Sequence, residues 1–143
     1  MSPGNKCYKV KVFTSSSAEG GSLTWDEAVE ECRAGPGLNP DLASVDSEVE
    51  NSIIMSQIQG HVFGAWIGLH RDVGGQHIWS DNSDLGYQNW RVGSPGSGDC
   101  VEMHSTEDAG TDNEPGKWRS LECGTLRGYA CQTYKGDLHS AKN

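Results

Sequence analysis

Apolar and polar positions follow a helical or strand period over the first sixty residues. The segment 8–13 alternates apolar and basic residues, which predicts a half-buried strand. Thr24 and Glu27 form a capping box, and a second box begins at Ser47, so each predicts the start of a helix. The apolar stripes of these helices are Trp25, Ala28, Val29 and Cys32 in the first and Val49, Ile53, Ile54 and Ile58 in the second.

The second part of the chain predicts strands and one long loop. Ala65 to Leu69 is a short, nearly all-apolar run, typical of a central strand buried on both faces. From His70 to Asp99 glycine and polar residues dominate around isolated aromatic residues, which indicates a long ordered loop rather than regular structure. Such loops commonly carry function. Three closing strands are predicted at 100–104, 117–120 and 128–132.

Composition narrows the class of protein. A chain of 143 residues fits one domain, and 34% apolar residues with five Trp argue against a disordered chain. The net charge of -9 argues against nucleic acid or an anionic membrane surface as partner. No apolar run approaches the roughly 18 residues that cross a bilayer, so we expect no membrane insertion in this segment.

Cysteine and histidine spacing favours a stapled extracellular domain over an enzyme. Five cysteines are many for a cytosolic protein, and one must stay outside any pair of bridges. Spacing alone does not choose among the pairings. There is no Cys-x-x-Cys, no metal-type histidine spacing and no Gly-x-Ser-x-Gly elbow, so we expect neither a zinc site nor a hydrolytic triad.

Short motifs follow one another in a fixed order along the chain. A Trp-x-x-Ala-x-x-x-Cys helix at 25–32 and Leu42-Ala43-Ser44-Val45 precede a Trp-Ile-Gly-Leu strand at 66–69. Asp99-Cys100-Val101-Glu102-Met103, Gly116-Lys117-Trp118 and a final aromatic-x-Cys follow. From about Cys7 to Gln132 this order resembles the C-type lectin-like superfamily. The resemblance implies an α+β fold with two helices flanking antiparallel sheets and a long loop region. We place the domain at 7–132, with residues 1–6 disordered and 133–143 a polar tail.

The resemblance also implies a disulfide pattern. It pairs Cys32 with Cys131, and Cys100 with Cys123. In family members with a longer N-terminal segment, a cysteine like Cys7 pairs with another upstream, and none stands upstream here. Cys7 is therefore either without its partner or available for a bridge between two chains.

Sugar-binding members of this superfamily hold calcium through oxygens of Glu-Pro-Asn or Gln-Pro-Asp in the long loop, of a Glu before Asp-Cys, and of Asn-Asp after a Trp. Calcium takes about six to eight oxygen ligands. Here Ser94-Pro95-Gly96 stands in the first place, Gly98 in the second and Arg119-Ser120 in the third. His70 and Arg71 stand where an auxiliary calcium site would need acids. We therefore expect no calcium at the standard sugar site and no required cofactor.

These patterns predict that the protein is an extracellular, non-enzymatic recognition module that binds a protein or a glycan through the long-loop face. The expected ligand-binding residues are Tyr87, Arg91, Ser94, Asp99 and Arg119.

Two alternatives stay open. The first is a carbohydrate-binding lectin that uses a non-standard or cation-assisted site, with calcium possible in an acidic loop; the favoured interpretation of that loop is a solvated hairpin that needs no ligand. The second is a disulfide-linked structural or matrix module joined through Cys7. The acidic loop offers Glu107, Asp108, Asp112 and Glu114 as metal ligands.

Overall fold

The computed structural model describes residues 6–12, 22–60, 63–91, 93, 96–105 and 115–135. It confirms two helices with a mixed sheet. The helices are α1 (Trp25–Arg33) and α2 (Glu48–Ile58). The strands are β1 (Lys6–Lys11), β2 (Leu38–Leu42), β3 (Ala65–Arg71), β4 (His77–Trp79), β5 (Cys100–Met103), β6 (Trp118–Leu121) and β7 (Gly128–Tyr134).

Helix α1 begins as the sequence predicts. The Thr24 side chain accepts a hydrogen bond from the Glu27 backbone N–H, and the Glu27 carboxylate accepts one from the Thr24 N–H, so the capping box is complete. The predicted stripe is buried, with Trp25, Ala28, Val29 and Cys32 all facing the interior.

Helix α2 departs from the prediction on its buried side. Val49 is 65% exposed and Ile53 44% exposed, so the stripe predicted from four apolar residues is wrong at two of them. Ser47 caps the helix, but the Glu50 carboxylate accepts from the Asp46 N–H rather than closing a second box. Polar contacts explain why a different side of the helix is buried. Glu50 contacts Lys6 of β1 and Asn51 contacts Trp118 of β6. The buried residues of α2 are Glu50, Asn51, Ile54 and Ile58.

The sheet follows the order β1-β7-β3-β5-β6, with β2 paired to β7 and β4 to β3. All these pairs are antiparallel except β3 with β7. The sequence missed two strands. Strand β2 separates the helices and contains Asn39, Pro40 and Asp41, which are depleted in strands; β4 lies inside the predicted loop.

The described ends of the domain reach beyond the expected bounds. Lys6, expected within a disordered stretch, begins β1 in register with Tyr134. Strand β7 in turn runs two residues into the segment expected as a polar tail. Within the described residues neither helix is long and apolar enough to cross a membrane.

Two apolar clusters and two disulfides hold these elements together. One cluster contains Trp25 and Trp66, and the other contains Trp79 and Trp118. The bridge Cys32–Cys131 ties α1 to β7 and the bridge Cys100–Cys123 ties the start of β5 to the turn after β6, which confirms both pairings. Cys7 is a free, half-buried thiol.

Candidate ligand-binding face

The long loop is pinned by aromatic rings around Trp118. Trp79, Tyr87 and Trp90 each meet this ring edge-on, with centroids 5.5, 5.9 and 5.7 Å away. The Trp118 indole N–H donates to Asn51 Oδ1 at 2.7 Å, which fixes the ring to α2. The base of the loop is thus built on the core, as its spaced aromatic residues predicted.

Residues 89–91 of the long loop run beside β6. Trp118 N–H donates to Asn89 O at 2.8 Å and Arg91 N–H donates to Trp118 O at 2.9 Å, so Trp90 and Trp118 form a parallel bridge. Side chains alternate along such backbone. Because Trp90 and Trp118 share one face, Arg91 and Arg119 lie on the other.

Arg71, at the end of β3, fastens the far side of the loop. Its guanidinium donates to the carbonyl oxygens of Gly96 and Gly98, and its backbone N–H donates to Asp99 O at 2.9 Å. The exposed Asp99 carboxylate lies 3.8 Å from Arg71 Nε. A side-chain cation therefore orders the backbone just before Cys100.

Gly98 is buried against the end of β6. A Cβ added there would lie 2.2 Å from the Leu121 carbonyl carbon and 2.3 Å from its oxygen. Real Cβ atoms do not approach backbone that closely, so no side chain fits at this position without a shift of the strand.

Glu102 of β5 joins two arginines on the face that holds Arg119. Its side chain is fully buried, with Oε2 2.6 Å from Arg119 Nε and Oε1 2.8 Å from Arg127 Nε. Arg127 is largely buried and packs over the Phe63 ring at 4.9 Å, while the Arg119 side chain is 30% exposed. We call Arg119 and Arg127 the arginine pair.

The charges around Glu102 set its ionisation. Burial alone raises the pKa of this carboxyl, but the His104 imidazole and the arginine pair outweigh burial and hold the pKa below its ordinary value. Glu102 is therefore a carboxylate at neutral pH. Within the described part of the chain it is the one carboxylate that faces the pair, and it balances one of the two guanidiniums.

His77, on β4, adds a neutral group beneath the loop. Its ring lies 5.0 Å from that of Trp90. Burial, followed by the charges of Arg71 and His70, lowers the pKa of His77 below its ordinary value. Among the described residues its Nε2 has no hydrogen-bond partner.

Comparison with known sequences decides the family. The sequence profile of the lectin C-type domain matches residues 21–133. The chain belongs to the C-type lectin domain family.

Relatives of this C-type lectin domain are named as receptors. The mouse low affinity immunoglobulin epsilon Fc receptor is 31% identical over 118 residues, which is 78% of this chain and 31% of that protein. The bovine secretory phospholipase A2 receptor is 29% identical over 133 residues, 90% of this chain and 8% of that protein. The chain thus spans less than a third of the length of either relative.

A solved structure resembles the domain over nearly its full length. The cow C-type carbohydrate-recognition domain of CD23, solved in the presence of GlcNAc2Man3 oligosaccharide, is 29% identical with a TM-score of 0.72. The match covers 93% of this chain and 91% of that one.

The expected site residues of this lectin domain fall in different places. Tyr87 is half-buried against Trp118 and Asp99 lies beside Arg71, while the alternation of side chains puts Arg91 and Arg119 on one side of the paired backbone. Ser94 lies outside the described residues, as do all four members of the acidic loop. Those four are Glu107, Asp108, Asp112 and Glu114.

Sequence reasoning missed two residues that shape the face. Arg71 was noted only as an unsuitable calcium ligand, although its place after an apolar strand puts it at the loop's base. Glu102 alternates with two buried apolar residues, so a solvent-facing position was the natural expectation. Its partners are 17 and 25 residues away, and no local pattern signals them.

A second buried carboxylate lies at the opposite side of the domain, on α2. Lys6 Nζ lies 3.2 Å from Glu50 Oε1 and 3.3 Å from Asp46 Oδ2, and it donates to Ser44 O and Oγ at 3.0 Å each. Burial, then the Glu50 charge, raises the pKa of Tyr8 beside it. An ammonium thus fills this cage of oxygens. Elsewhere among the described residues, no three His, Cys, Asp or Glu side chains gather as metal ligands.

Proposed function

We propose that this C-type lectin domain is an extracellular, non-enzymatic recognition module that binds its ligand through the long-loop face without calcium at the family's sugar position. The observation that carries the proposal is Arg71. Its guanidinium bonds to the carbonyls of Gly96 and Gly98, so a permanent part of the chain orders the backbone that leads into Cys100. A loop held in this way is preformed for binding.

The donor set at the sugar position does not fit calcium. The ion needs about six to eight oxygens, and a bound sugar supplies only some of them. No carboxylate side chain fits at Gly98. Arg119 offers a metal no oxygen, because its side chain is a guanidinium that binds Glu102. A positive group near the site would further oppose a divalent ion.

The names of the similar proteins support two ligand classes, a protein and a glycan. Two relatives are named as receptors for an immunoglobulin and for a phospholipase, and the similar cow domain was solved with an oligosaccharide. We place a glycan first because the described part of the long-loop face is polar and centred on arginine. A protein ligand is the second candidate, and the receptor names favour it.

A glycan array tests the proposal directly. The purified domain is screened in calcium-containing buffer and again in EDTA. We expect the same hits in both screens. Hits that vanish in EDTA would contradict the calcium-free mechanism, and a blank in both would move the proposal to a protein ligand.

The cation-assisted alternative rests on residues outside the described part of the chain and stays a prediction. Changing Asp108 and Asp112 to alanine tests it. Calcium and glycan binding that survive both changes would remove this alternative. The interchain bridge through Cys7 also stays a prediction, to be checked by non-reducing electrophoresis.

A further inference from the structure

Among the described residues, the arginine pair carries more positive charge than its neighbours neutralise. Within that part of the chain two guanidiniums face one carboxylate, that of Glu102, in a protein whose net charge is -9. Burial makes an unbalanced charge costly, and a partly buried guanidinium gains most from a bound counter-ion. A surplus positive charge in an acidic protein therefore marks a place where an anion is stabilised.

The two arginines differ in which guanidinium N–H groups have no acceptor among the described residues. Arg127 uses Nε for Glu102, donates from Nη1 to Leu126 O at 2.9 Å, and packs over Phe63. Arg119 uses Nε for Glu102, and no described residue accepts from its Nη1 or Nη2. Its outer edge thus has two parallel N–H groups held in place by the inner bond. That edge matches a carboxylate, which accepts two parallel hydrogen bonds from one guanidinium.

We infer that the outer edge of Arg119 is an anion subsite that receives the carboxylate of an acidic sugar. The inference rests on the proposed function and names the ligand chemistry for the same face. Glu102 acts as a positioning residue because it fixes the direction of the Arg119 fork.

An acidic sugar fits this face better than an acidic peptide or a polyanion. The net charge of -9 opposes a long polyanion, while one carboxylate meets the local surplus. Protein interfaces place aromatic and apolar residues at their centre. The described residues expose five large apolar side chains, and none of them lies on β6, although one directly precedes Arg127. They are Leu38, Val49, Ile53, Val73 and Leu126.

A matched pair of sugars tests the subsite. Labelled protein in EDTA is titrated with methyl glucuronide and with methyl glucoside, which differ in one carboxylate, while the arginine Nε–H signals are followed by NMR. We expect the glucuronide to bind at least tenfold more tightly, to shift the Arg119 signal, and to weaken as salt is added. Equal affinities would overturn the inference.

Two further probes identify the source of the anion. Methyl glucose 6-sulfate should bind more weakly than the glucuronide, because its single charge is spread over three oxygens and each oxygen is a weaker hydrogen-bond acceptor. N-acetylglutamate amide represents an acidic peptide. If it binds as tightly as the glucuronide, the assignment to a sugar is wrong.

Substitutions at Arg119 complete the test. R119M removes the charge but leaves Glu102 paired with Arg127, and we expect a loss of tenfold or more in glucuronide affinity. R119K keeps the charge but loses the planar fork, so its glucuronide affinity should lie between those of the wild type and R119M. The control is K9M, which removes a positive charge from an exposed lysine on β1 and should leave the affinity within twofold. Unchanged affinity in folded R119M, with folding checked by circular dichroism, would refute the subsite.

The glycan array tests the proposed function and the sugar titration tests the subsite, and either can fail without the other. Neutral glycans bound equally with and without calcium, together with no preference for the glucuronide, would uphold the proposed function and overturn the subsite. A glucuronide preference with array hits that need calcium would do the reverse.

Discussion

Glu50 and Glu102 are both fully buried, yet they are neutralised in opposite ways. Glu50 meets one ammonium, that of Lys6, which also contacts Ser44 and Asp46, so acids outnumber bases in that cluster. Glu102 meets two guanidiniums. An ammonium is a compact charge that a cage of oxygens can enclose, whereas a guanidinium is a planar fork that keeps an outer edge. The first cluster encloses its cation and leaves Glu50 Oε2 buried without a partner among the described residues, whereas the second has an outer edge left for a ligand.

Removing Arg127 should have the largest effect on stability. The substitution R127M takes away the more buried partner of Glu102 and the contact with Phe63, and we expect a loss of about 3 kcal/mol in unfolding free energy. Urea unfolding measures it. The exposed lysine in K9M is the control, with an expected change within about 0.5 kcal/mol. A loss in R127M no greater than in the control would show that Glu102 needs only one partner.

Removing Lys6 should cost somewhat less. K6M leaves Glu50 with the Asp46 backbone N–H but without its cation, and we expect a loss of about 2 kcal/mol by urea unfolding. The double variant K6M/E50Q should recover most of that loss, because no buried charge is left unpaired. Strictly additive losses would mean that the two residues do not interact.

Acid should act on Glu102 through its lowered pKa. A carboxyl whose pKa is lower in the folded protein adds stability above the unfolded value, about 4.3 for Glu, and loses it as pH falls through the folded pKa. We therefore expect the stability advantage of the wild type over E102Q to be full near neutral pH and to shrink below about pH 4.3. Urea unfolding at a series of pH values measures the difference. A constant difference would contradict the lowered pKa.

Arg71 should give the smallest change, because its partners are backbone carbonyls rather than a buried carboxylate. We expect R71M to cost about 1 kcal/mol overall. Hydrogen exchange should show faster opening of residues 96–99, with β1 and β7 unaffected as an internal control. Unchanged exchange in that stretch would remove Arg71 as the cation that orders the loop.

Local patterns were enough to predict much of the fold. The capping box at Thr24, the α1 stripe and the aromatic pins of the long loop all depend on neighbours a few residues apart. The resemblance supplied the two disulfides. Helix α2 could not be predicted in the same way, because Asn51 is buried through a hydrogen bond to Trp118, which lies 67 residues away.

The candidate site stays a prediction, although much of the backbone beside it is described. Trp90 pairs with Trp118, so their neighbours Arg91 and Arg119 follow parallel backbone. Their partners could not be predicted, since the bond between Arg119 and Glu102 depends on the β5–β6 register, and Arg127 arrives from another turn. Charge pairs between distant residues leave no periodic signal in a sequence.

Gly98 sets the order in which this domain could be engineered into a calcium-dependent sugar binder. Grafting Glu-Pro-Asn into 94–96 and Asn-Asp into 119–120 would still lack the carboxylate before Asp99. Installing that carboxylate as G98E drives its Cβ into the Leu121 backbone. The backbone at the end of β6 therefore has to be moved first, and the calcium-binding residues can be introduced only afterwards.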